Sequence, residues 1–173
     1  MDEELAGNDQ GSSTKSFYKT TSGVKVSDCT DSNKKGACYF LTKYFDVVKE
    51  CSSKTDTNCV SDVYTALDGS ALGANSIGDY CVRTKSGVTL CMDSGNHNIL
   101  IDINGSDAPN ISGLDLFKVH IEENGDVTDK GSISSCGAAG TVSTSTDGCV
   151  KKVITNNWSL DKNLEVTKHT SDE

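Results

Sequence analysis

The sequence predicts an α+β domain in which helices come first, an antiparallel sheet follows, and loops are held by disulfides. Two observations carry this. Apolar residues recur at helical spacing before Gly78 and with a period of two after it, and no βαβ alternation appears. The eight cysteines, at positions 29, 38, 51, 59, 81, 91, 136 and 149, fall in local couples, the pattern of structural disulfides in an oxidising compartment.

Residues 1–16 hold almost no apolar side chains, and a stretch of that composition cannot repay its ordering entropy. They read as a flexible leader ahead of one domain spanning 17–173. The clearest helix is expected over 37–50, where Phe40, Leu41, Tyr44, Phe45 and Val48 form one stripe and the other face is polar. A second, shorter helix is expected over 60–67 from Val60, Val63, Tyr64 and Leu67, with Asp68-Gly69 as its stop.

Residues 80–93 read as strand, turn, strand with Ser86-Gly87 at the bend, which puts Cys81 and Cys91 on opposite arms. A third strand is expected over 98–103. Over 116–122, Leu116, Lys118, His120 and Glu122 alternate with Phe117, Val119 and Ile121, the pattern of a half-buried strand. Asn124-Gly125 suits a hairpin turn into a short strand at 126–128. The small-residue stretch 132–148 calls for a clamp, and residues 150–160 form the last ordered piece, with Trp158 and Tyr80 expected in the core.

Zinc would require closely spaced thiolate knuckles, and none is present. Eight thiols can pair in many ways; neighbourhood favours Cys29 with Cys38, Cys51 with Cys59, Cys81 with Cys91, and Cys136 with Cys149. A net charge of −9 without any basic run removes the electrostatic term that nucleic acids and anionic membranes need. No window approaches the roughly 18 apolar residues of a membrane span, and the acidic amino end is not a signal peptide. Disulfides nonetheless imply export, so a native leader and an apolar segment are expected to have stood ahead of Phe17.

Nucleophilic catalysis requires a Ser or Cys beside a His that an acid orients. His120 reads as a surface strand residue, His97 lies in a loop and His169 in the polar tail, and no G-x-S-x-G elbow occurs, so no enzyme is expected. Asp102, Asn104, Ser106, Asp107, Asn110 and Asp115 form a cluster of acids and amides suited to calcium, a hard cation that takes about six to eight oxygens. Of these, Asp102, Asn104, Asn110 and Asp115 are the candidate metal ligands. The EF-hand pattern is not completed, because its twelfth position is Gly113. The competing reading is that these side chains cap turns. No other cofactor is expected.

The passage IDINGSDAPNISGLDLFKVHIEENGDV, residues 101–127, resembles the core motif of Gram-negative pilin-like proteins, with the shape D-x-N-G, P-N, G-x-D-x-F, strand, x-N-G. Three stretches agree with it in order and spacing: ACYFLTKYFDVVKEC at 37–51, YCVRTKSGVTLCMD at 80–93 and CVKKVITNNWSLD at 149–161. The last looks like that family's carboxy-terminal cysteine followed by a strand. Similarity to type IV pilins and type II secretion pseudopilins implies a pilin-like fold, in which an amino-terminal helix packs on an antiparallel sheet. It also implies a subunit of an extracellular pilus or pseudopilus, reached through the periplasm, whose partners are other subunits. The peptidase site, the apolar stretch and its glutamate that would precede such a domain are missing here. The alternative is a minor pilin or secreted adhesin that binds a glycan or protein on a host or other surface through the 132–148 loop. A small secreted hydrolase is a further rival, but the sequence displays no clustered acid–base site for one.

Overall fold

A computed structural model describes residues 36–51, 56–73, 78, 80–93, 98–122 and 126–159. Among them helix α1 (Gly36–Tyr44) leads into six strands: β1 (Val47–Cys51), β2 (Tyr80–Thr84), β3 (Thr89–Asp93), β4 (Asn98–Asp102), β5 (Leu116–Ile121) and β6 (Val127–Thr128). A 3-10 turn (Ile133–Ser135) and helices α2 (Val142–Ser145) and α3 (Cys149–Thr155) follow. The strands form one antiparallel sheet in chain order, β1 to β6. The α+β class expected from the sequence is the class observed.

The β2–β3 hairpin bends where the sequence predicts. Thr84 accepts from the Gly87 N–H at 3.0 Å and donates its own N–H to Val88 O at 2.9 Å, and Gly87 takes a φ of 91°. That geometry is a tight turn closed by a left-handed residue. The hairpin places Cys81 directly opposite Cys91, and the next strand outward places Cys51 opposite Cys81. Cys81–Cys91 and Cys51–Cys59 are both bonded, as is Cys136–Cys149, so three of the expected pairings are present. The pairing expected between Cys29 and Cys38, and the Asn124-Gly125 turn, lie outside what is described; β5 and β6 do pair, Ile121 opposite Val127.

Each face of the sheet has its own apolar layer. On one, Cys51, Cys81, Cys91, Leu100 and Leu116 pack against Cys59, Val60, Tyr64, Ala66 and Leu72 of the 56–73 segment, with Val142 of α2. On the other, Tyr80, Val82, Leu90, Met92, Ile99 and Ile121 surround Leu41 of α1. Full burial of one such leucine contributes about 1.5–3 kcal/mol. A third cluster joins Phe117 to the Cys136–Cys149 bridge, with Val150 and Val153 of α3 against it.

Several expectations need correction. The helix expected over 37–50 stops at Tyr44, and Val47–Cys51 is an edge strand. Val47 and Val48 are β-branched and suit a pleated strand, and pairing with β2 brings Cys51 to its partners; Val48, assigned to the apolar stripe, is exposed. The segment 60–67 is not helical. Its backbone is engaged otherwise: Thr65 N–H donates to the distant Asn110 O and Leu67 N–H to the distant Gly137 O, while Ala66 N–H closes a local turn on Ser70 O. These bonds leave the N–H groups unavailable for a helical ladder. The strand implied after Cys149 is helix α3, and Trp158 just beyond it is 74% exposed, not core, although Tyr80 is buried as expected. Strand β5 is covered on both faces rather than half-buried, since the stapled 56–73 segment and the 142–155 region wrap it. His120 is accordingly buried, with Nδ1 2.9 Å from Asn98 Oδ1, and is not a surface histidine.

Candidate functional site

Asp102 ends β4, and the β4–β5 connection, residues 103–115, holds the other acids and amides that the sequence nominated. Its two ends are tied by Ile103 N–H to Asp115 O at 2.9 Å. Its middle is sewn to the opposite segment by Thr65 N–H to Asn110 O at 2.8 Å and Ser112 N–H to Thr65 O at 2.9 Å. Two glycines make the path possible. Gly105 has a φ of 66°, and a Cβ there would meet Gly87 O at 2.9 Å; Gly113 has a φ of 84°, and its Cβ would meet Cys136 Sγ at 2.6 Å. A side chain at 113, such as the glutamate an EF-hand requires, has no room against that disulfide.

The structure divides the nominated residues into two groups. Asn104 and Asn110 act as loop staples: Asn104 Nδ2 donates to Asp107 O at 2.7 Å and Pro109 O at 3.1 Å. The Asn110 amide nitrogen, in the orientation that pairs both its ends, donates to Asp107 O at 3.3 Å and Gly105 O at 3.2 Å. This is the turn-capping reading. Asp107 is exposed and lies 3.6 Å from the Arg83 guanidinium.

Asp102 and Asp115 behave differently. Asp102, at the end of β4, is 2% exposed; Tyr64 Oη donates to its Oδ2 at 2.7 Å, and its buried Oδ1 has no hydrogen-bond partner. Asp115, just before β5, is 7% exposed; Ile111 N–H donates to its Oδ1 at 2.6 Å, and its buried Oδ2 has none. The buried Oδ1 of Asn104 is also without a partner. Burial pushes the Asp102 carboxyl up to about 7; the nearby Asp115 charge adds to this, while the Tyr64 hydroxyl and the N–H groups of Asn104 and Gly105 oppose it. Those two N–H groups lie close enough to favour the charged carboxyl but complete no hydrogen bond to Oδ1. Burial also raises Asp115, against the N–H groups of Ile111, Asp115 and Leu116 and the side-chain amide of Asn104. The Tyr64 hydroxyl is itself pushed up by burial and by Asp102.

Two neighbouring buried carboxylates of this kind can share a proton or surround a hard cation. Among the described residues no third His, Cys, Asp or Glu joins them. Tyr64 is the member that sequence reasoning missed: it stood in an apolar stripe, and no spacing ties position 64 to position 102.

No family model, curated protein or solved structure matches this chain. Among the described ones, no helix is long and apolar enough to cross a membrane.

Proposed function

We propose that this chain is the head domain of a structural subunit of an extracellular filament of the type IV pilus or pseudopilus kind. The observation that carries the reading is the placement of the half-cystines. Cys51, Cys59, Cys81 and Cys91 all lie in one buried cluster, where Cys51–Cys59 ties the 56–73 segment to β1 and Cys81–Cys91 ties β2 to β3. A domain that must survive pulling and proteolysis outside the cell benefits from such ties, because they restrict the open states that force or a protease exploits. The pilin-like passage at 101–127 supports the same reading, since it supplies the end of β4, the β4–β5 connection and β5. On this reading α1, seated on the sheet through Leu41, takes the place of the pilin helix.

The test is immunogold electron microscopy of the native cells with antibodies raised against residues 36–159. Gold arrayed along surface filaments, lost on deletion of the gene, is the expected result. Label confined to the medium as monomer would refute the proposal.

A second reading, an adhesin or minor subunit that binds a glycan or protein, is favoured by the apolar side chains exposed at the carboxy-terminal end: Ile133, Ile154 and Trp158. Exposed aromatics of this kind serve as anchors in recognition. Binding on a glycan array that Trp158→Ala abolishes would support it.

A further inference from the structure

A cleft of about 470 Å³, open to solvent, lies where the end of α1 meets the β2–β3 turn. Tyr44, Phe45 and Asp46 line it from the first, and Thr84, Lys85 and Ser86 from the second. The Lys85 N–H joins the two walls by donating to Asp46 O at 2.8 Å. A further ring holds the aromatic wall: Phe40, packed against the sheet, has its centroid 5.5 Å from that of Tyr44 and 5.8 Å from that of Phe45. On the polar wall Thr84 Oγ1 donates to Val88 O at 2.9 Å. The Ser86 hydroxyl is therefore the donor in its 2.9 Å bond to Thr84 Oγ1 and keeps its lone pairs for another partner. The Asp46 carboxylate and the Lys85 ammonium, both exposed, pair with no described residue.

We propose that this cleft binds a saccharide, with a sugar ring against Tyr44 and Phe45 and its hydroxyls met by Asp46, Lys85 and Ser86. The choice of ligand follows from what the lining would reject. A simple cation would meet the Lys85 ammonium and a simple anion the Asp46 carboxylate, so a ligand of one sign is disfavoured. A wholly apolar ligand would strip water from both charges and return no hydrogen bond. A sugar satisfies each wall. Its C–H groups carry slight positive charge, which the negative face of an aromatic ring attracts. Its hydroxyls both donate and accept, so one can give a proton to Asp46 while another takes one from Lys85. An aromatic surface with a few converging polar groups is the usual make-up of a small-molecule site, and the open side leaves room for a longer glycan whose end the cleft holds. The ligand class is that of the second reading above, but the residues are different and the filament reading is not required.

A glycan array probed with the full chain tests this, followed by NMR titration with the methyl glycoside of the terminal sugar that the bound glycans share. The free glycoside should shift the amide signals of 44–46 and 84–86. Phe45→Leu, which keeps an apolar side chain but removes the ring, should weaken binding by about tenfold or more. Phe45→Tyr, which keeps the ring, and Val48→Ala, an exposed change outside the cleft, should leave it unchanged. Circular dichroism confirms that each variant is folded; if Phe45→Leu fails to fold, Lys85→Ala, an exposed change in the turn, replaces it and should also weaken binding. No binding on the array would overturn the proposal, as would amide shifts confined to other residues or equal binding by the folded cleft variant. Loss of binding in Trp158→Ala but not in Phe45→Leu would also overturn it, and would give the glycan to the carboxy-terminal surface of the second reading instead.

Discussion

The Tyr64 hydroxyl donates to Asp102 Oδ2 at 2.7 Å across 38 positions of sequence, joining the segment that covers the sheet to the end of its fourth strand. Both partners are buried, and the acceptor is a carboxylate.

Tyr64→Phe removes this donor and keeps the ring. Hydrogen bonds to charged groups contribute about 1.5–3 kcal/mol, so urea unfolding of the variant at pH 8, where Asp102 is ionised, should show a stability loss of about that size with an unchanged slope. A loss below about 0.5 kcal/mol would mean that the bond does not order the segment.

Stability should depend on pH through the same carboxylate. In protein stripped of divalent cations, Asp102 is held near 7 when folded against 3.8 in its ordinary state. Between those values the folded chain keeps a proton that the unfolded chain has released. The contribution of Asp102 is therefore fully present below about 3.8 and falls as pH rises toward 7, at up to about 1.4 kcal/mol per unit. Asp115, also raised, acts in the same direction. Unfolding measured from pH 4 to pH 8 should show this decline, and Asp102→Asn should flatten most of it.

Glycine replacements separate backbone strain from crowding. Gly69 and Gly113 have nearly equal φ values, 83° and 84°, but a Cβ at 69 meets nothing within 4 Å while one at 113 lies 2.6 Å from Cys136 Sγ. Gly69→Ala should cost about 1–2 kcal/mol, the left-handed penalty alone. Gly113→Ala should cost more, and thermal melts should rank the two in that order.

Asp129 organises the carboxy-terminal region, because its carboxylate accepts from the N–H groups of Gly131 (3.1 Å), Gly148 (2.8 Å) and Lys151 (3.1 Å). Asp129→Ala leaves three donors without this acceptor and should destabilise by about 3 kcal/mol. Limited proteolysis should then cut within 132–148 before it cuts the sheet.

The parts of this fold that could be read in the sequence are those fixed by local rules. The 80–93 hairpin follows from period-two alternation around Ser86-Gly87, and β4 and β5 from their apolar runs. What failed depended on distant partners. Val48 kept a helical spacing, yet the ladder with β2 decided its conformation; Val60 and Tyr64 did the same, yet Thr65 and Leu67 beside them bond to Asn110 and Gly137. For the candidate site, Asp102 and Asp115 were nominated from composition alone. Their separation from Asn110, and the part played by Tyr64, rest on contacts that no spacing encodes.

The account rests on cysteines used as covalent ties across a buried sheet. Peptide mapping by mass spectrometry, on protein isolated from its native source without reductant and with thiols blocked, tests this most directly. It should recover Cys51 linked to Cys59, Cys81 to Cys91, and Cys136 to Cys149. Blocked free thiols at these positions, or zinc at one equivalent per chain, would contradict it.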